Sequence, residues 1–400
     1  MASLKLNGLD KVYPSGTVAL YDINLETAES EFLVILGADA SGKTTLLRTI
    51  AGLEEASDGE IIIDGKNLTE AEPKDRDVAM VFRSSSLTPT ATVYDNMAFG
   101  LKVRKTPQTV IDQRVKAAAN VLGLNDVLYR KPKVLTAAQK QRTAIGRAIA
   151  REPNLYLFDE PLSGLDEALQ AELLNVIVNL QARMEGTFVY TTKNPAEALT
   201  VGTRIAVLKN GFLQQIDTPS NLYDYPENAY VAFYIGSPTI NFINNAKLIK
   251  EEDGVYACEG QLKLKLSESI LARFENIEEY ISGGKQVIIG IRPEDCFLGG
   301  GDIDVTVTKA EDGFAEVSLD GHVLCVKAEG TANKGDKNTV SFNSDRLYLF
   351  DGVTRLTLLK RDERYNETGF ADANFKPLAF DEEERLKEKF KPKKTEKKKR

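Results

Sequence analysis

The stretch GADASGKT at residues 37–44 constrains this chain more than any other, because it fits the pattern Gly-x-x-x-x-Gly-Lys-Ser/Thr. It follows the apolar run Phe32–Leu36 and opens the helix-like run TTLLRTIAGL at 44–53. Strand, glycine-rich loop and helix in that order make a phosphate cradle. Backbone N–H groups of such a loop point at an anion, and the helix N-terminus favours negative charge. The expected phosphate contacts are Gly37, Ala38, Asp39, Ala40, Ser41, Gly42, Lys43, Thr44 and Thr45. Lys43 would reach the terminal phosphates, and the Thr44 hydroxyl would ligate Mg²⁺.

LYLFDEP at 155–161 supplies a second half. A short apolar strand ends in Asp159, placed to hold Mg²⁺, and Glu160, placed to polarise an attacking water. Further apolar runs at Val78–Phe82 and Phe188–Tyr190 are short and bounded by turns, as buried strands are. Helical patterns lie between them at 108–122, 139–150 and 167–184. Alternating strand and helix predicts an α/β unit with a mostly parallel sheet. After about residue 236 the pattern changes. Leu262, Leu264 and Leu266 alternate with lysines, and Ile303, Val305 and Val307 with polar residues, between glycine-rich turns. Period-two patterning predicts a small β-barrel-like unit over about 240–360.

Composition narrows the chemistry. The 400 residues contain one histidine, His322, and three cysteines, Cys258, Cys296 and Cys325. That argues against a zinc enzyme, a Ser-His-Asp hydrolase or a disulfide scaffold, and suits a reducing compartment. No run of 18 apolar residues could span a bilayer. The net charge of −8 argues against nucleic acid as a partner. The final KPKKTEKKKR is basic and reads as a charged, disordered tail, or as a contact for anionic lipid headgroups.

Taken together, these motifs resemble the ATP-binding subunits of ABC transporters, and more narrowly the importer ATPases of the maltose and glycerol-phosphate type. The resemblance runs from about residue 4 to 360. It is carried by LLRTIAGLE (46–54), RDVAMVF (76–82), TVYDNMAFGLK (92–102), GRAIAREP (146–153), FDEPLSGLD (158–166), LYDYPENAYVAFYIGSP (222–238) and GIRPED (290–295). It implies a RecA-like P-loop core over 1–235, with a helical subdomain at about 88–150. It also implies an oligonucleotide-fold-like (TOBE) barrel over 236–360 and an extension over 361–400. The implied ligands are ATP and Mg²⁺, with Tyr13 stacking on adenine and Ser163, Gly164, Leu165 and Asp166 forming the D-loop. The implied assembly is a nucleotide-sandwich dimer on two membrane permease subunits, served indirectly by a solute-binding protein, on the cytoplasmic face of the cell membrane.

Four motifs depart from the family pattern. The signature LSGGQ is LTAAQ here: Leu135, Thr136, Ala137, Ala138 and Gln139. The added Cβ atoms crowd a place where backbone N–H groups approach a partner's γ-phosphate, and they resist positive φ. The switch histidine is Lys193, which has no acceptor atom while protonated. The Q-loop glutamine is Arg83, a cation that Mg²⁺ should repel. Ala40 replaces a loop glycine. SSSLTPT at 84–90 also lacks the aromatics the family shows where a permease docks. The expectation is persistent ATP binding with very slow hydrolysis at this chain's own site. That favours pairing with a second, intact ATPase over a homodimer. The competing readings are an inert nucleotide-binding regulator and, more remotely, a nucleic-acid-binding barrel.

Overall fold

The structure, a computed structural model, describes residues 3–389 except 185, 312, 331, 363 and 366–376. The basic tail lies outside the described residues. The chain divides into two compact units, one running to Pro219 and one beginning at Ser220.

The first unit is built on a six-stranded sheet. Its order is Phe212–Asp217, Arg204–Lys209, Phe32–Leu36, Thr187–Thr192, Leu155–Asp159, Val78–Val81. All neighbours are parallel except the edge strand Phe212–Asp217. Phe32–Leu36, Leu155–Asp159 and Thr187–Thr192 are buried at every position. Strands buried on both faces read as unbroken apolar runs, the pattern seen in the sequence. Phe188 is the hub of the interior, with the rings of Phe32, Tyr156 and Phe158 at 5.7, 4.6 and 5.3 Å. The helices Gln108–Val121, Ala137–Ile149 and Glu167–Arg183 fall where the periodicity placed them.

A second, antiparallel sheet of order Val18–Glu26, Leu4–Val12, Asp58–Ile63, Lys66–Asn67 was not foreseen. Its register shifts repeatedly between Leu6 and Val12, which breaks the alternation that would have announced it.

The second unit is all-β at its centre. A five-stranded sheet runs Leu262–Lys265, Gly254–Glu259, Asn241–Glu251, Gln286–Ile291, Leu347–Asp351. A four-stranded sheet runs Phe314–Leu319, His322–Lys327, Cys296–Glu311, Lys337–Phe342. Both contribute to one apolar core that includes Leu248, Leu264, Ile289, Val305, Val317 and Val340. His322 opens a hairpin strand, and its Nε2 lies 3.1 Å from Glu259. In GIRPED, Arg292 is fully buried. Its guanidinium lies over the Tyr223 ring and donates to the carbonyls of Tyr223, Ala232 and Ile235. No helix among the described residues is long and apolar enough to cross a membrane.

Candidate phosphate-binding site

The loop begins where the fully buried strand Phe32–Leu36 ends, and it closes into the helix Lys43–Ile50. Two glycines fix its path. A Cβ on Gly37 would stand 2.3 Å from the Leu208 carbonyl oxygen. One on Gly42, at φ 107°, would stand 2.6 Å from that of Ala19. Ala40 sits at φ 61° with a Cβ, a conformation that costs an L-residue about 1 kcal/mol.

Lys43 is buried. Its ammonium donates to the carbonyls of Gly37 (2.7 Å) and Ala38 (2.8 Å) and lies 3.2 Å from Glu160 Oε1. The Thr44 hydroxyl donates to Asp159 Oδ1 at 2.9 Å, so the two expected Mg²⁺ ligands already touch. Burial raises the Asp159 carboxyl above its usual range, against the hydroxyls of Thr44 and Thr191. Thr191 is a site residue that sequence reasoning missed. Its hydroxyl lies 3.2 Å from Asp159 Oδ1 and accepts the Glu160 N–H at 3.0 Å. The signal was present in VYTT, two residues before the switch position. Glu160 itself sits at φ 41°, a strained conformation that this bond supports.

The altered residues converge here. Arg83 Nη1 lies 3.5 Å from Glu160 Oε2, and its Nε donates to the Ser163 hydroxyl at 3.1 Å. Glu160 therefore stands between Lys43 and Arg83, and Arg83 ties it to the D-loop. Lys193 donates to Asp39 Oδ2 at 3.1 Å. Lys193, helped by Lys43 and Arg83, holds the Asp39 carboxyl below its usual range. The Tyr13 hydroxyl is 3.4 Å from Thr45 Oγ1, with Lys11 over the ring.

The signature stretch makes its own local structure. Thr136 caps the helix Ala137–Ile149: its hydroxyl accepts from Gln139 N–H, and Gln139 Oε1 accepts from Thr136 N–H. Leu135 and Ala138 are buried. Neither Ala137 nor Ala138 sits at positive φ, so the lost glycine freedom costs this fold nothing. The added Cβ atoms remain as the change. In the D-loop, Gly164 supplies φ 82°, and Asp166 accepts the Leu169 N–H as the cap of Glu167–Arg183.

The residues present fit a bound triphosphate. No side chain caps the N-terminus of Lys43–Ile50, so its first N–H groups are left for a ligand. The Ser41 hydroxyl, on the same loop, is buried without a partner. Thr44 and Asp159 present the oxygen ligands that a hard cation takes.

Residues 20–163 match the ABC transporter family, and residues 236–296 match the MalK OB fold domain. The oligosaccharides import ATP-binding protein MsmX of Bacillus subtilis (strain 168) is 40% identical over 372 residues, spanning 90% of this chain and all of that protein. The chain belongs to the ABC transporter ATP-binding family. The trehalose/maltose import ATP-binding protein MalK of Thermococcus litoralis is likewise 40% identical, over 88% of this chain and 99% of its own. Among solved structures, cbiO1 of Clostridium perfringens, part of the ABC transporter complex cbiONQ, superposes with a TM-score of 0.52 at 28% identity. It covers 56% of this chain and 90% of its own. The similarity to MsmX and MalK takes in both units, so the chain is an ABC ATPase core followed by a MalK-type oligonucleotide-fold domain, a member of the importer branch.

Proposed function

We propose that this chain is the ATP-binding, energy-coupling subunit of an importer for a sugar, polyol or glycerol-phosphate-like solute. One observation carries the reading: an uncapped helix N-terminus, with Lys43, Thr44 and Asp159 in place, in a chain 40% identical to sugar-import ATP-binding proteins over 88–90% of its length. ATP would lie along the phosphate loop with Tyr13 beside the base. Mg²⁺, held by Thr44 and Asp159, would offset charge on the phosphates. Glu160 would orient the attacking water, but both its oxygens are engaged by Lys43 and Arg83. Lys193 donates where a histidine could also accept. Hydrolysis at this site is therefore slow, and the working assembly pairs the chain with a second, intact ATPase. That pair would sit on two permease subunits at the cytoplasmic face, with a solute-binding protein outside.

Isolation of the chain from native membranes tests this reading. The expected isolate contains two permeases and a second ATPase, and a chain that comes away alone refutes it. The clamped Glu160 and the polar stretch 84–90 favour one other reading, a nucleotide-binding regulator that drives no transport. That reading predicts unchanged solute uptake when the gene is removed.

A further inference from the structure

The second unit holds an open cavity of about 850 Å³, and every residue that lines it belongs to that unit. Its size falls within the roughly 300–1,000 Å³ of small-molecule sites. Leu347, buried, and Leu356 and Leu358, half-buried, give it an apolar floor. Five basic and five acidic side chains stand around that floor, so the lining carries no net charge. Each basic group already has a carboxylate. Lys360 lies 3.1 Å from Glu275, Arg346 3.5 Å from Asp224, and Arg361 pairs with Glu227. Arg273 and Arg364 lie 3.5 and 2.6 Å from Asp362. Pro377, Ala379 and Glu382 close one side. They come after the family resemblance ends near residue 360, and MsmX, matched over its whole length, leaves a tenth of this chain over. That wall is an addition of this chain's own.

We propose that this cavity binds a neutral polyhydroxylated molecule, a sugar or polyol, as a second ligand of the chain. Charge decides the class. A phosphate or nucleotide needs cations without partners, and here each cation is held by a carboxylate. A sugar needs none. Each of its hydroxyls both donates and accepts, so it can take an N–H from a guanidinium and give its proton to a carboxylate while the ion pair stays formed. Hydrogen bonds to charged groups are the strong ones. The C–H faces of the ring would lie on the leucines. The opposing argument is that paired surface charges are only a solvated rim. A solvated rim leaves the concave apolar floor unexplained, whereas small-molecule sites combine such a floor with a few convergent polar groups. The proposal uses neither the nucleotide nor the import reading and stands apart from both. Its consequence is a chain with two ligands, a nucleotide on the first unit and a sugar on the second.

The test is isothermal titration calorimetry on the full chain. Maltotriose, trehalose and sorbitol are the neutral probes, and glycerol 3-phosphate is the anionic one. The wild type is compared with Glu382→Trp, which fills the cavity from an exposed position, and with Asp345→Ala, which removes an exposed carboxylate from the lining. Thermal unfolding checks that each variant folds. The expected result is saturable binding of at least one neutral probe with a Kd below about 1 mM. Either variant should weaken it about tenfold or more, the loss that goes with one hydrogen bond to a charged group. Saturable binding of glycerol 3-phosphate alone overturns the proposal through its charge argument. Neutral-probe binding that both variants leave unchanged puts the sugar elsewhere and overturns it too. No saturable binding of any probe overturns it outright. ATP titrated into the same protein reports on the nucleotide reading separately.

Discussion

Glu160 is held by more charge than an orienting carboxylate needs. Lys43 is part of every such loop, so Arg83 is the residue that distinguishes this site, through its contacts with Glu160 Oε2 and Ser163. Arg83→Gln releases one oxygen of the buried Glu160 from a half-exposed arginine, a change of about 1 kcal/mol. A Glu160-dependent hydrolysis rate roughly fivefold above the wild-type level is therefore expected in a steady-state ATPase assay. A rate that stays at the wild-type level removes Arg83 as the cause. Ala40 offers a stability test. Its φ of 61° is strained, whereas glycine is not strained there and loses more entropy on folding. Ala40→Gly should thus raise stability by about 0.5 kcal/mol in urea unfolding, and a clear loss would contradict the strain. The residue types at these positions could be read in the sequence; their partners could not. Nothing local in the chain says that Arg83 meets Ser163, 80 positions away, or that Thr191 supports Glu160.

Elements were legible where one physical signal dominated. Phe32–Leu36 is five apolar residues because both faces of its strand are covered. Leu262–Lys265 alternates because one face packs on the barrel core and the other meets water. Leu4–Val12 was illegible because bulges shift its register, so buried and exposed positions lose their period. The signature helix shows a different limit. The sequence suggested that the alanines would resist positive φ here, yet neither adopts it, and the reciprocal cap between Thr136 and Gln139 fits an ordinary helical N-terminus. Thr136→Ala removes that cap and should cost about 1 kcal/mol in urea unfolding. No measurable cost would mean that the cap does not hold this helix.

At the scale of the whole molecule, the two units carry separate chemistry. The first holds the phosphate loop. The second contains a buried charge, Arg292, whose two terminal nitrogens donate to three backbone carbonyls while its Nε is buried without a partner. Arg292→Met leaves those carbonyls unsatisfied at about 1 kcal/mol or more each. Amide exchange in Gln286–Ile291 should then lose roughly 3 kcal/mol of protection, and unchanged exchange would show that the guanidinium is dispensable. The charged end at 390–400 has no place in this account. We propose that this family ATPase keeps the parts that hold nucleotide and that Arg83 and Lys193 slow its hydrolysis. The most direct measurement is steady-state Mg·ATP hydrolysis by the purified chain beside Glu160→Gln, with nucleotide binding confirmed for both. The account predicts rates that agree within about a factor of two, because Glu160 is clamped and Lys193 cannot accept a hydrogen bond. Turnover by the wild type that disappears in Glu160→Gln would contradict it.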